Sequence, residues 1–323
     1  MIIEKIRHAS MCVTGKDHIK RGAECQDRTH YIKKNGVHVL SLSDGAGSRE
    51  KSQYGAEIAT KSICDFVSNN FIELIILSEK RGKNQEEINR DLAKLKNMII
   101  DYVQKDLNEF VYKNNGISLN DLSCTLLFVA VRNNQYLLGH IGDGVIGALT
   151  SEMGNETLKV LSHPENGGAP NITYFITDEN AIDHLRVSSG ELPNLKGLIL
   201  MSDGPEDALY SKNDGLNDNT YIIFEGFKGS LMKDYEQFLK MVLENKISEI
   251  SYDDLSLNIL YHDVINTKVI NNEEIIKEIL NNISIEQIIS LSKYSVLIDD
   301  SINPKTEIRE WDYIYNDYLR RYK

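Results

Sequence analysis

The chain has 323 residues, is 41% hydrophobic and 26% charged, and carries 48 Asp and Glu against 36 Lys and Arg, for a net charge of -12. That length supports one large domain or two modest ones with a full core, and the composition excludes stapled miniproteins, disordered chains and collagen-like chains. An acidic balance repels phosphate backbones and anionic lipid, so neither nucleic acid nor a membrane is an expected partner.

At the N-terminus, MIIEKIRHAS has no apolar run behind a basic start. No window reaches the ~18 apolar residues of a membrane span, and a cytoplasmic protein is expected. Cys12, Cys25, Cys64 and Cys124 form no CxxC pair and have no histidine at zinc-finger spacing, which leaves reduced thiols as the expectation. Short aliphatic runs predict strands at Val39 to Leu42, Leu126 to Val131, Tyr136 to Ile141, Leu158 to Leu161, Leu198 to Met201 and Leu255 to Tyr261. Between the first two runs, Ile58, Ile63, Val67, Phe71 and Ile75 mark one helix over Tyr54 to Ile76. Ile88, Leu92, Leu95, Ile99, Val103, Leu107 and Phe110 mark a second, and the pair would lie antiparallel on a sheet face. A third amphipathic helix, near Leu231 to Glu244, turns Leu231, Tyr235, Phe238, Leu239 and Val242 to one side. Strands, then helices, then strands indicate α+β layers.

From about Ile270 the pattern becomes wholly helical, with Ser284 and Gln287 spaced as a capping box and Pro304 at a helix start. The expected organisation is a main domain over 1–265 and a helical extension over 270–323. The last helix of that extension carries Ile308, Trp311, Ile314, Tyr315, Tyr318 and Leu319 on an apolar face suited to docking on the chain's own body.

Acidic residues recur where strands end, often beside glycine: Gln26-Asp27, Asp44-Gly45-Ala46-Gly47, Gly142-Asp143-Gly144, Ser202-Asp203-Gly204 with Asp207, and Asp253-Asp254. A single Asp-Gly is an ordinary turn. Here three of them follow apolar strands, so a layered fold would gather the carboxylates at strand ends. Carboxylates held together and kept ionised need counter-charge, and a divalent cation is the natural one. An all-oxygen ligand set selects Mg²⁺ or Mn²⁺ over zinc, and two such ions would activate water and hold a phosphoryl group between them.

In this order and spacing, these motifs resemble those of the metal-dependent PPM-type (type 2C) Ser/Thr protein phosphatases, bacterial branch. The resemblance runs over about residues 6 to 262, through Gly15-Lys16-Asp17-His18-Ile19 with Gly22, Cys25-Gln26-Asp27, Ser43-Asp44-Gly45-Ala46-Gly47-Ser48, Ser123-Cys124-Thr125, Gly142-Asp143-Gly144, Asn171 to Thr177, Met201-Ser202-Asp203-Gly204 and Asp253-Asp254-Leu255-Ser256. It implies a four-layer α/β/β/α sandwich of two antiparallel sheets flanked by helices, with the C-terminal helical extension appended. It implies hydrolysis of phosphoserine and phosphothreonine at a binuclear Mn²⁺ or Mg²⁺ centre, with room for a third ion. Carried over by position, Asp44 would bridge two metals, the Gly45 carbonyl would face the second, and Asp203 and Asp253 would complete the first. Asp27 would orient the attacking water, and Asp143 with Asp207 would hold the third ion. The implied partners are a phosphoprotein substrate and a cognate Ser/Thr kinase, and the segment from His163 to Pro193 would form a flap that chooses the substrate.

Three departures stand out. Gln26 replaces a glutamate found in many members, which reduces the negative charge around the second metal. Ala46 stands where eukaryotic members have a histidine proposed as general acid, so the leaving alkoxide would take its proton from metal-bound water or from another group, with His8, His18 and His30 as candidate substitutes. The phosphate-binding arginine usually five residues before the first Asp falls on Gly22. A one-residue slip on a strand reverses a side chain's direction, so Arg21 does not simply inherit that role. Lys20, Arg21, Arg7 and His18 are the candidate phosphate-binding groups. No cysteine has an arginine six residues on, as a cysteine-phosphatase loop needs, so Cys25 and Cys124 read as buried apolar residues.

Two other function classes fit parts of the pattern. A phosphatase-fold regulatory protein that binds a phosphoprotein or kinase without turnover would account for Gln26, Ala46 and the missing arginine, but not for the full set Asp44, Asp203 and Asp253. A two-metal phosphodiesterase or nuclease shares the chemistry but conflicts with the acidic charge.

Overall fold

In the computed structural model, residues 2–165, 173–227 and 232–266 are described, so the expected helices over 270–323 and the centre of the expected flap lie outside the described residues. Glu4–Val264 forms one compact unit. In chain order the elements are β1 (Ile2–Val13), α1 (Lys16–Arg21), β2 (Arg28–Lys34), β3 (Val37–Ser43), α2 (Ser52–Ser78), α3 (Gln85–Lys113), β4 (Leu126–Arg132), β5 (Gln135–Ile141), β6 (Val145–Glu152) and β7 (Asn155–Ser162). They continue with α4 (Ala181–His184), β8 (Arg186–Glu191), β9 (Leu195–Met201), α5 (Glu206–Leu209), β10 (Tyr210–Ser211), β11 (Gly215–Leu216), α6 (Asp218–Glu225), α7 (Met232–Asn245) and β12 (Leu255–Asn266). Two five-stranded sheets, ordered β2-β3-β4-β5-β8 and β1-β12-β9-β6-β7, carry the unit.

The period-2 alternation of the strands produces the layers. On β4, Leu126, Phe128 and Ala130 point to one side, into a core shared with Ile63 and Phe71 of α2 and with Leu95, Ile99 and Val103 of α3. Leu127, Val129 and Val131 point to the other side, where they meet Ile146, Ala148, Leu198 and Leu200 of the second sheet. The outward face of that second sheet, through Ile199, Met201, Leu257 and Ile259, packs against Phe224, Tyr235 and Leu239 of α6 and α7. The result is helix, sheet, sheet, helix. Burying each large aliphatic or aromatic side chain contributes roughly 1.5–3 kcal/mol, so the three cores are the main source of stability.

Local signals fix the helices. At the start of α3, Asn84 Oδ1 accepts from the Glu87 N–H at 2.9 Å and Glu87 Oε2 accepts from the Asn84 N–H at 2.9 Å, a reciprocal cap. On α2, a Cβ at Gly55 would sit 2.0 Å from the Leu122 carbonyl oxygen, so only glycine lets the helix press against the turn Leu119–Leu122. Among the described residues no helix is long and apolar enough to cross a membrane.

The six predicted strands and the first two predicted helices lie within observed elements, and the third corresponds to α7 from Met232 on, whereas β2, β6, β8 and the short β10 and β11 were not anticipated. β2 reads RTHYIKK with no fully buried position, and β6 opens with Val-Ile-Gly-Ala, so neither shows a dense apolar run. β8 occupies part of the expected flap: its polar sequence Arg-Val-Ser-Ser-Gly-Glu pairs along β5 as an edge strand, held by backbone hydrogen bonds rather than by apolar periodicity.

Candidate metal and phosphate site

Strand register brings the acidic turns to one end of the two sheets. Ser43 pairs with Arg28, Leu126 pairs with Ile141, and Met201 pairs with both Val145 and Leu257. Asp27 therefore enters β2 where Asp44 leaves β3, and Asp143 leaves β5 at that same end. In the second sheet Asp203 leaves β9 beside the point where Asp253 leads into β12. The turns are tightly specified. Asp44 N–H donates to Thr125 Oγ1 at 2.9 Å, and the Asp44 carbonyl accepts from the Thr125 N–H at 2.8 Å. Gly142 adopts φ 120°, and a Cβ there would lie 2.6 Å from the Thr125 side chain, so no other residue fits before Asp143.

Asp44, Asp143 and Asp203 each present a carboxylate oxygen within 4.8 Å of the others. Among the described residues this is the group of three suited to a cation. The grouping differs from the sequence reading, which put Asp253 with Asp44 and Asp203 and set Asp143 apart with Asp207. One Asp253 oxygen accepts from the Asp254 N–H at 2.8 Å, within its own loop. Thr173 Oγ1 donates to Asp143. Asp207 sits on α5, whose short turn after Gly204 leaves Asp203 and Asp207 lining the same cleft.

The charges are crowded. Burial pushes Asp44 well above the usual carboxylate range, and the charges of Asp27, Asp203, Asp143 and Asp253 push it further. Burial likewise raises Asp203, reinforced by Asp143, Asp253 and Asp27. Asp27, only 1% exposed, is raised to about 6, first by burial and then by Asp254, while nearby Ser256 and Ser202 act in the opposite direction. Neither Asp27 oxygen meets a donor in hydrogen-bond geometry, and the buried Gln26 Oε1 also lacks a partner, although Gln26 Nε2 donates to the Arg49 carbonyl at 2.6 Å. Converging carboxylates with orphaned buried oxygens match the requirements of a hard divalent cation, which would supply the missing positive charge. The residues present fit such an ion.

A cleft of roughly 610 Å³ opens beside these carboxylates. Its walls come from α1 (Asp17, His18, Arg21), the turn at Gly47 and Ser48, the Asp203–Asp207 turn, and Ile250 to Asp253. Of the four cationic candidates, His18 and Arg21 line it. Lys20 stands close by, paired with Asp17 at 3.1 Å and 5.1 Å from the centre of the Tyr252 ring. Arg7 does not join them: it is buried on β1 in alternation with Ala9, Met11 and Val13, on the face turned to the helices, whereas His8 on the opposite face donates from Nε2 to Asn258 Oδ1 at 2.8 Å. Burial lowers His8 to about 4, and His30 is also lowered by burial. Neither of these two histidines lines the cleft.

Sequence reasoning assigned no role to Asp254, which is 2% exposed. Its oxygens accept from the Gly15 N–H at 2.7 Å and the Gln26 N–H at 2.6 Å, and His18 Nδ1 stands 2.8 Å away, at ion-pair length but bent from ideal hydrogen-bond alignment. One carboxylate thus ties α1 and the Asp27 turn to the start of β12. The doubled Asp253-Asp254 was the visible signal. Burial pushes Cys124 up to about 12, which leaves it a protonated core thiol rather than a nucleophile.

Residues 14–244 match the family described as Protein phosphatase 2C. No curated protein sequence matches the chain. Among solved structures, a point mutant of a bacterial serine phosphatase is 17% identical, with 82% of this chain and 100% of that chain covered and a TM-score of 0.52. A serine-threonine phosphatase 2C from Toxoplasma gondii is 12% identical, with 81% and 99% covered and a TM-score of 0.53. A serine/threonine phosphatase from S. agalactiae is 15% identical, with 80% and 99% covered and a TM-score of 0.50. At these identities the structural likeness concerns the fold: two sheets face to face with helices outside.

Proposed function

Because the chain belongs to the Protein phosphatase 2C family, we propose that it is a metal-dependent protein phosphatase acting on phosphoserine and phosphothreonine. The observation that carries this reading is the approach of Asp44, Asp143 and Asp203 to within 4.8 Å of one another, delivered by three separate strands beside the open cleft. Asp44, Asp203 and Asp253 would hold a first Mn²⁺ or Mg²⁺, with Asp143 close enough to share it. Asp44 and the Gly45 carbonyl would hold a second, and Asp143 with Asp207 would serve a third. Bound ions of this kind supply Lewis-acid activation of water and of the phosphoryl oxygens.

The chain's own residues then have defined tasks. Asp27, buried beside the Ser202 and Ser256 hydroxyls but with neither oxygen in hydrogen-bond alignment with them, is an acceptor able to fix the direction of the attacking water. Arg21, with Lys20 at the rim, offers positive charge to the phosphate in a cleft that carboxylates of Asp17, Asp203, Asp207 and Asp253 also line. The neutral Gln26 contributes an amide oxygen where a glutamate would add a full negative charge, so the second ion should bind more weakly than the first. The substrate is a phosphoprotein, made by a Ser/Thr kinase of the same system.

The test is hydrolysis of a phosphothreonine peptide with Mn²⁺, with Mg²⁺ and with EDTA, alongside Asp44→Asn. Turnover that requires metal and is lost in the variant is expected. Metal binding without turnover would instead favour a protein that binds phosphoproteins and releases them unchanged.

A further inference from the structure

We propose that His18, held by Asp254, is the proton donor to the departing serine or threonine oxygen, an assignment that rests on the phosphatase reading above. Ala46 leaves the turn after Asp44 without a titratable side chain, so the leaving alkoxide needs its proton from elsewhere. Of the three histidines the sequence offered, His8 is spent on Asn258 and the Tyr31 ring, 4.1 Å away, and His30 is absent from the cleft. His18 lines the cleft together with Asp203 and Asp253.

Its orientation is set from behind. Asp254 Oδ2 lies 2.8 Å from Nδ1, and Asp254 is itself fixed by the N–H groups of Gly15 and Gln26. A carboxylate behind one ring nitrogen keeps a proton there and leaves the other nitrogen as the exchangeable one. That nitrogen, Nε2, faces Gly47: a Cβ built on Gly47 would be 3.9 Å from it, and nothing but hydrogen occupies that position. The absence of a side chain at Gly47, a cleft residue, keeps open the approach from Nε2 to a bound phosphoester. The charged groups around the ring are Asp17 and Arg21 on its own helix, Asp254 and Asp253 from the loop before β12, and Asp203 and Asp207 across the cleft.

The step balances simply. As water attacks phosphorus and the ester P–O bond breaks, its electron pair stays on the serine or threonine oxygen. The proton on Nε2 passes to that oxygen, giving the free hydroxyl, inorganic phosphate and a neutral ring that solvent reprotonates. Asp254 is a positioning residue and does not take part in the transfer.

The experiment compares leaving groups. His18→Asn puts an amide nitrogen in the place of Nδ1, keeps the contact with Asp254 and removes Nε2. In this variant the ratio of kcat on a phosphothreonine peptide to kcat on p-nitrophenyl phosphate should fall about 100-fold, the scale of a lost general acid. An alkoxide needs the proton and a nitrophenolate does not. Across a series of aryl phosphates the dependence of rate on leaving-group basicity should steepen. Each ratio is taken within one preparation, so partial unfolding cancels. Asp254→Asn should change the ratio in the same direction by a smaller factor. In the metal-free wild-type protein, nitrogen-detected NMR should show a proton retained on His18 Nδ1 that Asp254→Asn releases to exchange. An unchanged ratio and slope in His18→Asn, with the wild type active, would overturn the assignment and leave His18 a structural contact. A wild type inactive on every phosphoester would overturn the phosphatase reading and this inference with it.

Discussion

Removing one charge from the acidic cluster should make the metal-free protein more stable. Asp27 is raised from 3.8 to about 6, so holding that one carboxyl ionised in the folded protein costs about 3 kcal/mol at 1.36 kcal/mol per pKa unit. Asp44 is shifted in the same direction by burial and by four neighbouring carboxylates. Asp44→Asn should therefore stabilise as well, by about 2–3 kcal/mol, the upper part of the range for a buried polar group left uncompensated. For a unit of this size that is a rise of roughly 5–10 °C in Tm. The sign follows from linkage. A carboxyl with a raised folded pKa contributes stability that is complete below its unfolded pKa and is lost as pH rises through the folded value. The gap between Asp44→Asn and wild type in EDTA should therefore be widest at alkaline pH and shrink as the pH falls from the raised folded pKa toward the ordinary carboxylate value. Manganese should reverse the order: a site held at 100 times its Kd stabilises by about 2.7 kcal/mol, available to wild type and largely denied to the variant. Differential scanning calorimetry with and without metal checks this. A variant that melts below wild type in EDTA at pH 8, with a gap independent of pH, would refute the repulsion argument.

The other predictions concern stability. Asp254→Asn leaves one of two buried N–H donors, from Gly15 or Gln26, without its carboxylate acceptor, and should cost about 2–4 kcal/mol in urea unfolding. A loss below about 0.5 kcal/mol would show that the tie across the three segments is dispensable. Gly55→Ala drives a methyl group into the Leu122 carbonyl and should cost about 1–3 kcal/mol, seen as a lower urea midpoint with an unchanged slope. Burial lowers His8 and His38 to about 4 and His140 well below its usual value. A histidine kept neutral by the fold contributes stability above its unfolded pKa that disappears as pH falls through the folded value, so Asp44→Asn, freed of much carboxylate repulsion, should lose stability steadily between about pH 6.5 and 4. Urea midpoints that stay flat across that window would contradict the buried, neutral histidines.

Much of the fold could be read from the sequence, because the central strands are buried on both sides and therefore written in dense aliphatic runs. β3 has all seven positions buried, and β4 six of seven. Such strands announce themselves without knowledge of their partners. The helices α2 and α3 were legible for the complementary reason, a single wide apolar stripe. What stayed hidden were strands whose stability is supplied by neighbours. β2 is half-exposed, β8 is polar apart from Val187 and Gly190, and β6 has a glycine at 147 because Leu216 and Ile199 press against it. A Cβ on Gly147 would come within 2.4 Å of Leu216, a constraint set by residues some fifty to seventy positions away.

The acidic site divides along the same line. Asp44, Asp143 and Asp203 were visible because each follows an aliphatic strand and is flanked by a glycine that the turn needs, so local sequence encodes both the delivery of the carboxylate and its direction. Their grouping could not be read in that way. Whether Asp143 or Asp253 stands with Asp44 and Asp203 depends on the register between two strands of one sheet and on the packing of one sheet over the other, and no segment contains that information. Asp254 is the limiting case. Its neighbours in space, Gly15, His18 and Gln26, are more than two hundred residues away in sequence, and none of them is of a type that signals a partner. The same long-range tie that sequence reasoning could not see turns a histidine in a short N-terminal helix toward the cleft. The residue proposed to give the proton is thus positioned from the far end of the domain's sequence, and replacing Asp254 should loosen the His18 ring while α1 keeps its tie from the Asp17 N–H to the Tyr252 carbonyl at 3.1 Å.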